Sequence, residues 1–190
     1  MAVRVTIEPY NVAWPAAFQE EQARLLACLS DWMPEVQHIG STAVKGLGGK
    51  PIIDIMVGFE QEKSLNAAAS LLVEHGYCYY PCFEEPPFRD RRFLALLQGY
   101  PSTVFESPDD FPDRVAYPPV FHLHLLRQGS PFWKRHLAFR DYLRRHPITR
   151  DAYYRMKVKL AKGVWESQND YAKAKTAFIR RVERLAELEG

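Results

Sequence analysis

The chain of 190 residues is 47% hydrophobic and 13% aromatic, which suffices for one buried core but leaves little room for two domains. Lysine and arginine (25) nearly balance aspartate and glutamate (23), and the formal net charge of +2 does not favour a nucleic-acid-binding surface. The sequence has no apolar run typical of a signal peptide or a membrane-spanning helix, and three cysteines without a Cys-x-x-Cys pair predict free thiols in a cytoplasmic protein.

Hydrophobic periodicity predicts the elements of the first half of the chain. A short strand is expected over residues 3–7, followed by a helix that begins near Pro15 and carries an apolar stripe as far as Leu29. A strand over residues 36–39 precedes a glycine-rich stretch at residues 40–50. Residues 52–57 are apolar on both faces except for Asp54, which predicts an interior strand of a covered sheet.

The second half of the chain changes from strands to helices. Strands are predicted over residues 77–82, 93–97 and 120–126, and prolines concentrated at residues 81–119 indicate irregular loops. Helices are predicted from Ser130 and Pro131 to Leu143, from Thr149 through Leu160, and over residues 171–185. This order predicts an α+β fold with helices packed on a mixed sheet, in a single domain of residues 1–190 that becomes helical from about residue 130.

The turn Gly40-Ser41-Thr42 is the first candidate for chemistry. Glycine lets the backbone approach a ligand closely, and hydroxyls beside the free N–H groups of a helix start can bind phosphate. The alternative is an ordinary strand-to-helix turn capped by Ser or Thr, because such pairs are frequent in turns.

A second set of candidates lies on two predicted strands. Asp54 would be costly to bury on so apolar a strand without a cation or hydrogen-bond donors, which favours a functional role. His122 and His124 share one face of their strand, where they could bind a metal, donate to a phosphate, or simply be structural histidines. If both face Asp54 across neighbouring strands, the three side chains would form one metal or phosphate cup.

Basic residues supply the remaining candidates for binding an anionic substrate. Each of them alone is more typical of a solvated surface charge than of a binding residue. Lys157 and Lys175 share helical stripes with aromatic residues, which predicts that they point inward. The five candidates are Lys50, Arg92, Arg140, Lys157 and Lys175.

The chain resembles the GrpB family over nearly its whole length. The resemblance rests on the runs at residues 38–44, 46–47 and 50–55, on residues 9–11 and 14–15, on 122–124, on 139–144 and 146–147, and on Tyr171, Lys175 and residues 178–179. It implies a nucleotidyltransferase-like fold, in which Gly40 and Ser41 correspond to the turn that holds the triphosphate. It also implies that Asp54 matches a metal-binding acid, with His122 and His124 in place of an acid on a later strand.

One departure from that superfamily limits the mechanism. Two acids usually stand at alternate positions, but both neighbours of Asp54 on its face, Ile52 and Met56, are apolar. Two-metal catalysis relies on such carboxylates, so the sequence favours a site with one Mg²⁺ or other divalent ion, or with none.

Three hypotheses about function follow. The first is a nucleotidyl- or phosphotransferase in which Gly40, Ser41 and Thr42 hold phosphates and Asp54 and His124 are catalytic. The second is a non-catalytic protein that binds a nucleotide or phosphorylated metabolite in the same cup. The third, a scaffold with only protein partners, has little support in the sequence, and neither a membrane nor nucleic acid is expected as a partner.

Overall fold

The structure is a computed structural model that describes residues 4–86 and 89–189. In this part of the chain, five strands form one sheet in the order β1-β2-β5-β4-β3, in which β2 and β5 are parallel and the other neighbouring strands are antiparallel. The predicted α+β class with a mixed sheet is therefore confirmed. The strands are β1 (Glu35–Ile39), β2 (Ile53–Phe59), β3 (Cys78–Tyr79), β4 (Arg91–Leu97) and β5 (Pro119–Arg127).

Among the described residues, six α-helices accompany the sheet, and the last four follow it in the chain. Proline occupies the first turn of α1, α3 and α4, where its missing N–H costs nothing because that position has no intrahelical partner. The helices are α1 (Trp14–Cys28), α2 (Ser64–Glu74), α3 (Pro131–Arg145), α4 (Pro147–Ala161), α5 (Gln168–Ala174) and α6 (Thr176–Glu189). Within the described residues, no helix is both long and apolar enough to cross a membrane.

One face of the sheet is covered by α1 and α2. Ile53, Ile55 and Val57 of β2 point to this side and join the largest core cluster with Leu25 of α1 and Leu65 of α2. Because side chains alternate along a strand, Asp54 and Met56 point to the opposite face, toward the C-terminal helices. The prediction of an interior strand is confirmed, since β2 lies between β1 and β5 with both faces occupied.

Four element predictions need correction. Residues 4–7 form no strand, and instead Glu8 makes an isolated bridge to Gly49, while Val3 lies outside the described residues. The strand predicted over 77–82 is only two residues long because Pro81 begins a 3₁₀ turn. The helix expected to begin at Thr149 begins at Pro147. The single helix predicted over 171–185 is two helices, α5 and α6, that meet at Lys175.

Candidate functional site

The Gly-Ser turn lies directly against the carboxylate of Asp54. Gly40 has φ +70°, a left-handed conformation that favours glycine, and a Cβ there would collide with the Asp54 carboxylate. Ser41 then begins a short 3₁₀ helix, Ser41–Ala43, and Ile39 at the end of β1 pairs with Asp54. The turn and the acid therefore meet at one end of the β1–β2 pair.

Lys157 of α4 is buried beneath this turn. Its side chain is only 2% exposed, and its Nζ lies 2.7 Å from Ser41 Oγ while it also donates to the carbonyl of Gly48. Burial, and secondarily the charge of Lys175, lowers the pKa of Lys157 to about 7. The prediction that Lys157 points inward is confirmed.

A cavity of about 180 Å³ lies beside Ser41, and three lysines line it. We call it the lysine pocket. Lys50 and Lys175 lie over the ring of Tyr171, with their Nζ atoms 5.0 and 4.6 Å from its centroid. Burial lowers the pKa of Lys50 to about 8 and also lowers that of Lys175. The lining consists of Ile7, Ser41, Lys50, Ile52, Asp54, His122, Lys157, Tyr171 and Lys175.

Asp54 and His122 form a pair at the wall of the lysine pocket. The parallel register of β2 and β5 sets them side by side, with His122 Nδ1 3.2 Å from Asp54 Oδ1. Two buried polar atoms of the lining, His122 Nε2 and the hydroxyl of Tyr171, have no hydrogen-bond partner among the described residues. A ligand in the pocket could offer such partners.

His124 faces a second cavity, of about 230 Å³, which we call the histidine pocket. This pocket shares Ser41, Asp54 and Lys175 with the lysine pocket, so the two adjoin. His124 is opposite Met56 rather than Asp54, and its Nδ1 lies 3.1 Å from Arg91 Nη1. Its pKa is lowered well below the usual value, chiefly by burial. The rest of the lining is Ile39, Gly40, His136, Phe139, Tyr153, Ile179 and Glu183.

Three predicted site residues lie outside both pockets. Arg92 pairs with Leu125 and donates to Asn66 of α2, so it is on the opposite face of the sheet, and its neighbour Arg91 faces the site. Arg140 is 9% exposed and donates to Gln37 and to the carbonyl of His38, which fixes α3 to β1.

Thr42 is the third such residue. It is buried on the far side of the turn, where its hydroxyl lies 2.9 Å from His38 Nε2. Because burial lowers the pKa of His38 to about 4, the imidazole is neutral at physiological pH and serves to hold the turn.

The family pattern described as GrpB protein matches residues 4–185. The chain belongs to the GrpB family. It is 31% identical over 182 residues to a UPF0157 protein of Halalkalibacterium halodurans, covering 96% of this chain and 82% of that one. It is 27% identical to the glutamate-rich protein GrpB of Alkalihalophilus pseudofirmus, covering 94% of this chain and 93% of that one.

The fold is also similar to that of a GrpB protein whose crystal structure is known. The conserved protein GrpB from Enterococcus faecalis is similar to this chain with a TM-score of 0.73 and 30% identity, over 95% of this chain and 96% of that one. The mixed sheet and the helical C-terminal segment are therefore those of a GrpB-family protein.

The residues of this family member do not fit a metal site built by protein ligands alone. Among residues 4–86 and 89–189, no three His, Cys, Asp or Glu side chains are grouped so that they could hold a metal ion. Asp54 and His122 offer two donors, whereas His124 contacts Arg91, and three lysines surround the carboxylate. Divalent ions prefer several oxygen ligands, and the positive charge of this lining favours an anion instead.

Proposed function

We propose that the chain binds a nucleotide or another phosphorylated small molecule, with a phosphate group in the lysine pocket. The observation that carries this proposal is the charge of the lining, where Lys50, Lys157 and Lys175 outnumber the single carboxylate of Asp54. Burial first, and then the charge of Lys175, lowers the pKa of both Lys50 and Lys157, so Lys175 repels the ammonium forms of the other two lysines. A bound phosphate would relieve that repulsion and accept hydrogen bonds from the lysines.

The dimensions of the two pockets support a ligand that extends beyond its phosphate. The lysine pocket, at about 180 Å³, is smaller than the ~300 Å³ at which pockets for whole small molecules begin. The histidine pocket, of about 230 Å³, adjoins it and shares Ser41 and Asp54 in its lining. A phosphate in the first pocket would place the rest of the molecule in or near the second.

Calorimetric titration tests the proposal. Pyrophosphate, ADP and ATP are each added to the protein in phosphate-free buffer with EDTA, and again with Mg²⁺. We expect binding without metal, and Lys175→Met should weaken it by about tenfold because one charged contact of about 1.4 kcal/mol is lost. The control is Lys173→Met, an exposed lysine of α5 outside both pockets, which should bind as the wild type does. Absence of heat for all three anions, or unchanged affinity in Lys175→Met, would refute the proposal.

A transferase is the second candidate, and the Asp54–His122 pair favours it. A carboxylate hydrogen-bonded to an imidazole beside a phosphate site could take the proton of an acceptor hydroxyl. Incubation with nucleoside triphosphates, followed by phosphorus NMR, would detect released pyrophosphate or phosphate. Asp54→Asn should abolish any such turnover while the circular dichroism spectrum stays that of the wild type. Full activity in that variant would remove Asp54 from the mechanism.

A further inference from the structure

Ser41 and Lys157 form a contact that phosphate binding alone does not require. The Nζ of Lys157 lies 2.7 Å from Ser41 Oγ, and its second contact is the carbonyl oxygen of Gly48. Ser41 and Lys157 both line the lysine pocket, Ser41 also lines the histidine pocket, and Lys157 is almost fully buried. Ser41 therefore lies at the wall of both cavities, with the Lys157 amine against its hydroxyl.

Lys157 Nζ donates to both Ser41 Oγ and Gly48 O, as an ammonium group does. After losing one proton, the amine can still donate to Gly48 O while it accepts the hydroxyl proton of Ser41 in the same position. Burial, with Lys175 adding to it, lowers the pKa of Lys157 to about 7, so both forms are present near neutral pH. The ring of Tyr153, 4.8 Å from Nζ, covers another side of the group.

Ser41 lines both pockets, whereas the neighbouring Thr42 lines neither. Thr42 is 1% exposed and its hydroxyl lies against His38, so it has no access to the cavity. Gly49 leaves room beside Ser41, because a Cβ at Gly49 would come within 2.7 Å of the Ser41 Cβ. The fold therefore leaves Ser41 in the lining of both pockets and places a buried lysine amine against its hydroxyl.

We propose that Ser41 is a nucleophile with Lys157 as its general base, and that it accepts a phosphoryl group from the ligand of the lysine pocket. The identity of the phosphoryl donor rests on the proposed function, whereas the reactivity of Ser41 does not. A serine hydroxyl is a weak nucleophile unless an adjacent base takes its proton, and Lys157 is the base in contact.

The reaction transfers a phosphoryl group from the ligand to the Ser41 oxygen. The Ser41 oxygen forms a bond to phosphorus as its proton passes to the Lys157 amine. The bond between phosphorus and the leaving oxygen breaks, and that oxygen keeps the electron pair and departs as an anion, as the terminal phosphate oxygen of ADP does when ATP is the donor. The proton stays on Lys157. Lys50 and Lys175 neutralise the charge that develops on the phosphoryl oxygens. Water then attacks phosphorus, the bond between phosphorus and the Ser41 oxygen breaks, and that oxygen takes back the proton from the Lys157 ammonium. Phosphate leaves carrying both protons of the water, and Ser41 and the Lys157 amine are restored.

A neutral dialkyl fluorophosphate tests the nucleophile directly. Attack by Ser41 would break the P–F bond, release fluoride and leave a stable adduct that intact mass and tandem mass spectrometry detect. We expect one adduct on Ser41, lost in Ser41→Ala and formed about 100-fold more slowly in Lys157→Met, the lower range for removal of a general base. The matched controls are Ser70→Ala and Lys159→Met, both exposed, which should label at the wild-type rate.

Lys157→Arg separates a base from a charge. Arginine keeps the positive charge and the donors but does not deprotonate in this pH range, so labelling should be as slow as in Lys157→Met. The wild-type labelling rate should rise between pH 6 and 8 with a midpoint near 7, as Lys157 loses its proton. Circular dichroism of each variant establishes that it is folded.

The outcomes of labelling and titration are distinct. No adduct on Ser41, or equal rates in Lys157→Arg and the wild type, would overturn the nucleophile even if pyrophosphate binds. Labelling of Ser41 without affinity for pyrophosphate or nucleotides would support the nucleophile and refute the lysine pocket as a phosphate site. Acid-stable phosphate on Ser41 after incubation with a phosphorylated ligand would support both.

Discussion

Gly40 and Asp54 occupy adjoining space so closely that a methyl group on Gly40 would overlap the carboxylate of Asp54. The contact joins the turn after β1 to the second residue of β2, and it depends on the left-handed φ of +70° at Gly40. The position of the Gly40 turn therefore depends on the position of the Asp54 carboxylate.

Gly40→Ala should therefore destabilise the protein by more than its backbone conformation alone explains. The positive φ costs an L residue about 1–2 kcal/mol, and displacement of Asp54 should bring the loss of unfolding free energy above about 2 kcal/mol. Urea unfolding measures it. Gly99→Ala is the matched control, since Gly99 has φ +72° but nothing within 4 Å of a Cβ. Equal losses in the two variants would contradict the close contact.

Anion affinity should fall as pH rises from 6 to 9. A bound phosphate favours the ammonium forms of Lys50 and Lys175, so affinity is fully present below the pKa values of these two lysines in the free protein. Affinity is then lost as pH passes about 8, the pKa of Lys50. Titration of pyrophosphate at pH 7.5 in two buffers of different ionisation enthalpy should show proton uptake. Identical enthalpies in both buffers would contradict the prediction.

The ligand-free protein should gain stability as pH rises from 7 to 9. The folded-state pKa of Lys157 lies below that of the unfolded chain, so the unfolded chain binds more protons and low pH favours unfolding. The slope is on the order of 1 kcal/mol per pH unit. Urea unfolding at several pH values should give a flatter profile for Lys157→Met than for the wild type. Parallel profiles would show that Lys157 does not titrate in this way.

Arg140 should matter for stability rather than for ligand binding. Arg140→Met removes hydrogen bonds to Gln37, to the carbonyl of His38 and to Asp141, which should cost about 1–3 kcal/mol of unfolding free energy. Pyrophosphate affinity of the folded variant should stay within about twofold of the wild type. Arg145→Met, at a mostly exposed site of the same helix, is the control for both measurements. A tenfold loss of pyrophosphate affinity in Arg140→Met would show that Arg140 takes part in ligand binding.

Strand alternation accounts for how much of the site could be predicted from sequence. A period of two residues put Asp54 on the face opposite Ile53 and Ile55, and likewise put His122 and His124 together. It could not show that His122 meets Asp54 while His124 meets Arg91, because that depends on which strand lies beside which. For the same reason Arg92 was predicted as a binding residue although its neighbour Arg91 is the one on the site face. A shift of one residue along a strand moves a side chain from one face of the sheet to the other.

The local sequence by itself determined the elements of the site: a glycine turn, one acid on an apolar strand, and a lysine on an apolar helical stripe. These follow from backbone sterics and side-chain periodicity, which act over a few residues. Only the tertiary structure decided that Ser41 contacts Lys157, 116 residues away, and that Lys50 and Lys175 share the ring of Tyr171. Such contacts depend on how α4 and α5 pack against the sheet, and packing is fixed by the whole core at once.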